Sequence, residues 1–439
     1  MITSRTGDSF LDARNVFVLA FFYALSVGLL VQCLLLPVLM PGLDAGHGLL
    51  KGGDWVSFHH DAVMLADRIH HKGWAVWELR PHGNAPIGIA AAIYVLTGIS
   101  EPWVLMPLNA GLFAVGAASL YLMFTCIASR RLAFFAIMPY LLYPSAVMIY
   151  GQIHKDAWSM AGSLLVNLAW VRFATSGKLN WQRIVSQVAL VVVGVWLIWV
   201  VRPYLVKILL AAALLAVLVL AIRAIIMHGD VRERHMVRWW IGIILCLSIM
   251  GVFVKLPASG SLASGSLANA GEEKGLIWQF VESIVSGVAT ARQGFTSYNN
   301  AGSNIDTWVK FHSAADVLRY VPRALQIGLF APFPDMWRGA GVSPGANRMR
   351  LIAGIETIFA YFFLPGVILI FTCRKCYGPS AVVLIQAVVP LLLLALVVCN
   401  VGTLYRMRYS CWQILIGLGV IGWGVGFKHW LTSRRNILG

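Results

Sequence analysis

The residues able to do chemistry in this chain stand at the ends of long apolar runs. Asp54 and Asp61 follow the first run, His154-Lys155-Asp156 sit between two later ones, Arg202 closes another, and Arg406 and Arg408 precede the last. A carboxylate at such an edge can take a proton from a hydroxyl, and Lys, His or Arg can neutralise phosphate oxygens. Asp54 follows Gly52-Gly53, where glycine permits a tight turn that aims the carboxylate. It is the leading candidate base, with Asp61 next. On a helix these two would share a face about 10 Å apart, and one of them could instead hold a divalent cation such as Mg or Mn. His59, His60, His70 and His71 show no zinc-ligand spacing.

The cationic groups have bland readings as well. Asp156 suits a helix cap, but a cap does not require His154 and Lys155 beside it. Arg202 could be a snorkelling anchor, yet Pro203 starts a helix directly after it, and Lys207 lies inside that helix, where a charge calls for a partner. Glu356 and the nearby Arg350 offer an alternative pairing. Arg406 and Arg408 diverge on a helix and align on an extended turn, and arginine's planar fork suits phosphate oxygens. Arg408 is favoured for its place at the mouth of the final run. Arg292, Tyr298, Asn304, Asp306, Lys310 and His312 are candidates for an acceptor site or lid.

The elements that must position these groups are membrane helices. Only 12% of the 439 residues are charged, against about a quarter in soluble proteins, and the mean hydropathy is +0.77. The sequence therefore predicts an all-α polytopic membrane protein. About ten transmembrane helices are expected, over 16–40, 103–127, 132–151, 157–173, 184–201, 203–222, 239–257, 351–371, 380–400 and 411–427. The runs are uniformly apolar, without the alternation of a membrane barrel. The first exceeds the apolar core of a signal peptide, which argues against cleavage.

Charge orients the bundle. With the N-terminus inside, Arg130/Arg131, Arg172/Lys178/Arg183, Arg223 to Arg238 and Arg374/Lys375 all fall on cytoplasmic connections, as does the basic C-terminal tail. Both termini are then cytoplasmic, and the charge of +16 is explained without nucleic acid. The chain divides into a membrane module at 1–257 with an outer loop at 41–102, a second outer insertion at 258–350, and further spans at 351–439. Segment 85–98 is too short to cross easily and reads as an interfacial helix. Residues 258–270 read as flexible, Gly275–Ala291 and Val317–Phe333 as helical, and Ala331-Pro-Phe-Pro334 as a helix stop. Most of the seven cysteines fall in apolar runs, and Cys373/Cys376 lack the second half of a metal motif.

In this order of motifs the chain resembles the membrane glycosyltransferases of the GT-C superfamily. The resemblance rests on Gly53-Asp54 and Asp61, Gly83-Asn84-Ala85-Pro86, Asn109, Pro144-Ser145, Lys155-Asp156-Ala157, Val201-Arg202-Pro203-Tyr204, Pro332-Phe333-Pro334, and Gly402-Thr403 with Arg406 and Arg408. It implies a helical bundle with juxtamembrane helices in two large periplasmic insertions. It also implies a catalytic aspartate in the first loop, matching Asp54, and basic residues around a lipid phosphate, matching Lys155, Arg202 and Arg408 in role. The expected partners are a polyprenyl-phosphate-linked sugar donor and a lipid-linked glycan or cell-envelope acceptor at a bacterial inner membrane. The lack of a soluble C-terminal domain points toward monosaccharide transfer.

Three rivals remain at this level. A polysaccharide polymerase or O-antigen ligase also brings lipid-linked glycans to outer arginines. A transporter or flippase of a lipid-linked or anionic solute should gather its polar groups near mid-span. A scaffold of an envelope-synthesis complex would tolerate conservative changes at Asp54, Lys155 and Arg202.

Overall fold

Helix breakers decide where the long apolar runs stop. The computed structural model describes residues 11–175, 180–226, 233–256, 276–296, 302–338, 344–371 and 377–438. Among these the fold is all-α, and β structure is confined to isolated bridges between Asp44 and Leu50 and between Asn304 and Asn400. Helix α1 (Ala13–Leu30) begins where the Asp12 carboxylate accepts the Ala13 amide at 2.8 Å, and it continues as a wider π turn over Val31–Leu39. Then α2 (Asp54–Lys72) and α3 (Ala85–Thr97) pack together through Phe58, Leu65, Ile69, Ile87 and Tyr94. At 13 residues, α3 spans roughly 20 Å, short of a hydrocarbon core of about 30 Å.

After α4 (Met106–Thr125) the expected span 132–151 is two helices, α5 (Arg130–Leu142) and α6 (Pro144–Tyr150). Tyr143 between them has a ψ of 123°, because the residue before proline is pushed out of the helical region. The expected span 157–173 is α7 (Asp156–Thr175). Next come α8 (Trp181–Val201), α9 (Pro203–Ile226) and α10 (Glu233–Lys255). The second insertion contributes α11 (Leu276–Thr296) and α12 (Ala314–Phe330), and α12 stops just before the Ala331-Pro332 pair, as its prolines dictate. The chain ends with α13 (Pro344–Phe363), α14 (Gly366–Ile370), α15 (Tyr377–Val397), α16 (Val401–Met407) and α17 (Tyr409–Leu438).

Among the described residues, eight stretches are long and apolar enough to cross a membrane: Ala13–Leu39, Pro102–Thr125, Trp181–Val201, Pro203–Ile222, Val237–Lys255, Asn347–Ile370, Pro379–Val397 and Tyr409–Phe427. The chain is a multi-pass membrane protein. Helix α7 is absent from that set because Asp156, Ser159, Ser163 and Asn167 dilute its hydropathy, yet nearly all its residues are buried. It joins the two main cores, packing on α4 on one side and α8 on the other. A Cβ on Gly162 would lie 2.5 Å from the Gly194 carbonyl oxygen, and one on Gly194 would lie 2.7 Å from that of Gly162. Only glycines let these backbones touch. That contact draws the start of α7 and the end of α8 together, and with them Asp156 and Arg202. Residues 258–270 and Cys373/Cys376 lie outside the described residues.

Candidate active site

The turn that opens α7 is held by buried amides. Gln32 Nε2 donates to the Gly151 carbonyl at 2.6 Å, and Asn109 Nδ2 donates to Tyr150 and Gln152 carbonyls at 2.9 and 3.2 Å. The Leu50 amide donates to Gln152 Oε1 at 3.1 Å. Arg80, unremarked in the sequence, ties the first loop to the end of α8. It donates to the Val200 carbonyl at 3.0 Å and stacks 4.1 Å over Trp199. The residues flanking His154 and Arg202 are therefore fixed from several elements.

On this frame Asp156 is fully buried and reached by Arg202 Nη2 and His154 Nδ1, each at 2.5 Å. Arg202 also donates to Ser159 Oγ at 3.2 Å. Arg406 Nη1 lies 2.7 Å from His154 Nε2. Arginine has donors only, so Nε2 accepts, while Nδ1 faces Asp156, 3.2 Å from its backbone amide as well as close to its carboxylate. Burial pushes the Asp156 carboxyl up, but Arg202, His154 and Arg406 outweigh it and hold it well below the usual carboxylate range. Burial, reinforced by the two arginines and opposed by Asp156, lowers His154. Burial and Arg202 lower Lys155, against the pull of Asp54 and Asp156. Lys155 Nζ donates to Asn84 Oδ1 at 2.5 Å and lies 5.7 Å over the Phe58 ring.

A cavity of about 480 Å³ opens beside this network. Asp54 and Arg406 both line it, together with Lys51, Trp55, Ser145, Asn304, Asp335, Arg350, Asn400, Thr403 and Tyr405. Trp55 joins cavity and network, since its indole packs at a tilt 5.7 Å from the His154 ring. Asp54 is the first residue of α2 and exposed. The two preceding glycines have separate reasons. Gly52 has a φ of +92°, whereas Gly53 is extended and a Cβ there would lie 2.1 Å from the Trp55 ring.

The other expected residues disperse. Asp61 sits two turns along α2, half-buried, and is not on the cavity wall. Lys207 is exposed on α9. Arg408, the favoured phosphate ligand, is 1% exposed. Its guanidinium donates to the Ile327 carbonyl at 3.1 Å and to those of Gly328 and Ala331, capping the end of α12, and lies 4.8 Å over Trp412. Burial lowers its pKa to about 10. Arg406, not Arg408, faces the cavity, because α16 is helical and residues two apart on a helix diverge.

The acceptor and lid candidates resolve likewise. Arg292 is buried, donating to the carbonyls of Leu396, Asp306 and Val309 at 2.8, 2.7 and 3.1 Å. Asp306, with a φ of +48°, accepts from Tyr320 and Arg323 at 3.0 and 2.9 Å. Both are structural. His312 is exposed, with its backbone amide donating to Asp316, and Tyr298 lies outside the described residues. Among the described residues no three His, Cys, Asp or Glu side chains form a metal-binding group. His59 instead meets Tyr94 at 2.9 Å and packs at a tilt against His47.

Compared with known proteins, the sequence matches no family model and no curated protein. Lys51, Asp335 and Ser145 were not singled out as charged or reactive site groups in the sequence. Lys51 carried one usable signal, a cation directly before the glycine turn that presents Asp54.

Proposed function

We propose that this chain transfers a sugar from a polyprenyl-phosphate-linked donor to a hydroxyl of a lipid-linked glycan or envelope acceptor, in the manner of a GT-C membrane glycosyltransferase. The observation that supports this most is the sharing of one cavity by the Asp54 carboxylate and the Arg406 guanidinium, next to helices built for lipid. On this reading Asp54 accepts the acceptor's proton, and the freed oxygen pair attacks the anomeric carbon. The bond from that carbon to the phosphate oxygen breaks, and the phosphate leaves with its electrons. Arg406, with Lys51 and Arg350 on the same wall, stabilises the charge that develops there. Arg202, Lys155 and His154 act behind Arg406, and the Asp156–His154 pair orients the imidazole that receives it.

The lining of Pro332, Met336, Met349 and Ala353 suits the first isoprene units of a lipid donor. A divalent cation such as Mg or Mn would find carboxylates at Asp54 and Asp335, and no step above depends on one. Ten spans follow if the α5–α6 pair and the buried α7 are added to the eight apolar stretches. Both termini are then cytoplasmic and the cavity opens on the periplasmic side of a bacterial inner membrane.

The test uses full-length protein in proteoliposomes with radiolabelled sugar on undecaprenyl phosphate and a lipid-linked glycan acceptor. Labelled sugar should move to the acceptor, and Asp54→Asn should abolish the movement. Passage of the labelled lipid or an anionic solute across the bilayer with no covalent change would overturn the reading in favour of transport. Loss of transfer in Arg406→Ala with Asp54→Asn fully active would favour a polymerase or ligase.

A further inference from the structure

A buried carboxylate that this reaction does not use stands behind the cavity wall. Glu356 of α13 is 2% exposed, and its donors are neutral. The Ser145 amide donates to Oε1 at 2.7 Å, the Ser145 hydroxyl to Oε2 at 2.6 Å, and the Tyr405 hydroxyl to Oε2 as well. The Tyr143 hydroxyl donates to the Glu356 backbone carbonyl at 3.4 Å, and Tyr409 of α17 lies within electrostatic reach. The sequence offers the nearby Arg350 as company for this charge, but hydroxyls surround it instead. An ionisable group inside a membrane helix is costly and is retained for a role. Two of these hydroxyl residues, Ser145 and Tyr405, line the cavity.

We propose that Glu356 is a second proton acceptor of the cavity, reached through the Ser145 hydroxyl. A hydroxyl bound beside Ser145 passes its proton to Ser145 Oγ as Ser145 passes its own to Glu356 Oε2. One O–H bond breaks on the bound molecule, one is exchanged at Ser145, and one forms on Glu356, which ends neutral. The oxygen left behind keeps the electron pair. Burial of the Tyr405 phenol, and then the charge of Glu356, raise its pKa well above the ordinary value, so Tyr405 stays a donor that holds the carboxylate in place. Glu356 touches no substrate and acts through Ser145. The fate of the freed oxygen rests on the transferase reading; the proton path does not.

Infrared titration of the full-length protein in lipid nanodiscs, labelled with ¹³C at glutamate carboxyls, tests the path with Asp54 silent. A protonated glutamate band should titrate in the wild type and vanish in Glu356→Gln. Its hydrogen–deuterium exchange should slow by about tenfold or more in Ser145→Ala, equivalent to about 1.4 kcal/mol in the barrier. A glutamate spectrum unchanged by Glu356→Gln, or exchange unaffected by Ser145→Ala, would overturn the proposal. Should Glu356→Gln not fold, the labelled wild type and Ser145→Ala decide it between them. This readout needs no turnover, so failure of sugar transfer and failure of the proton path are separate results.

Discussion

Arg406 Nη1 meets His154 Nε2 at 2.7 Å across 252 positions of sequence. That single contact joins the cavity to the Asp156–Arg202 pair, because Arg406 lines the first while His154 Nδ1 faces the second. The buried network thereby holds a cavity-facing cation in one orientation.

Arg406 and Arg408 should separate cleanly when each is replaced by alanine. Arg406→Ala should weaken binding of a polyprenyl phosphate by about tenfold or more, the value of one charge-assisted hydrogen bond, with little change in melting temperature. Arg408→Ala should instead cost at least about 2 kcal/mol of stability by leaving buried carbonyls without donors. Equal loss of binding with equal melting temperatures in the two variants would refute the assignment.

Removing one partner of the buried pair should be worse than removing both. Asp156→Ala leaves the Arg202 charge stranded at a cost of about 3–5 kcal/mol, whereas Asp156→Ala with Arg202→Met should recover much of that. Thermal unfolding of the single and double variants in one detergent measures the difference. A double variant no more stable than either single one would show that the pair does not act as a unit.

Asp54→Asn should lower the rate of sugar transfer by about 10²–10⁴-fold, as expected for loss of a general base, without loss of fold, since Asp54 is exposed. Asp61→Asn should stay near wild-type rate, because Asp61 is not on the cavity wall. Turnover measured side by side for the two variants distinguishes them, and a deeper loss at Asp61 would relocate the base.

Stability should decline in mild acid. Burial, with His47 and His60, lowers the His59 pKa to about 4 from 6.5, so between those values the unfolded chain takes up a proton that the folded chain refuses. The contribution is complete above about 6.5 and diminishes as pH falls toward 4. His154, lowered chiefly by burial, acts in the same sense. Asp156, held low, resists loss until more acidic pH. His59→Asn should flatten the melting-temperature profile between about pH 6.5 and 4.5; an unchanged slope would remove His59 from the account.

Much of this architecture is legible along the chain, because it depends on local properties. Apolar length marks the spans, and glycine and proline mark the turn before Asp54 and the end of α12. Local rules also fail in identifiable places. Tyr143-Pro144 breaks an expected span, a break that the proline itself announces. Helix α7 is too polar to stand out by hydropathy, yet nearly all of its residues, its serines and Asn167 among them, are buried.

The sequence by itself determined a multi-pass helical protein, a glycine turn that presents Asp54, and the placing of polar residues at span ends. Those features follow from the cost of unpaired backbone in lipid and from turn chemistry, which act over a few residues. Only the tertiary structure decided which of the end groups meet. Arg406 and Arg408 are two cations of one type in one turn, and position along the chain favours Arg408. A helical α16 sends one to the cavity and the other to the carbonyls at the end of α12. Arg292 and Asp306 similarly became struts, and Glu356 found hydroxyls where a cation was expected. Desolvation settles each case, since a buried charge must take whatever partner the packing brings within reach.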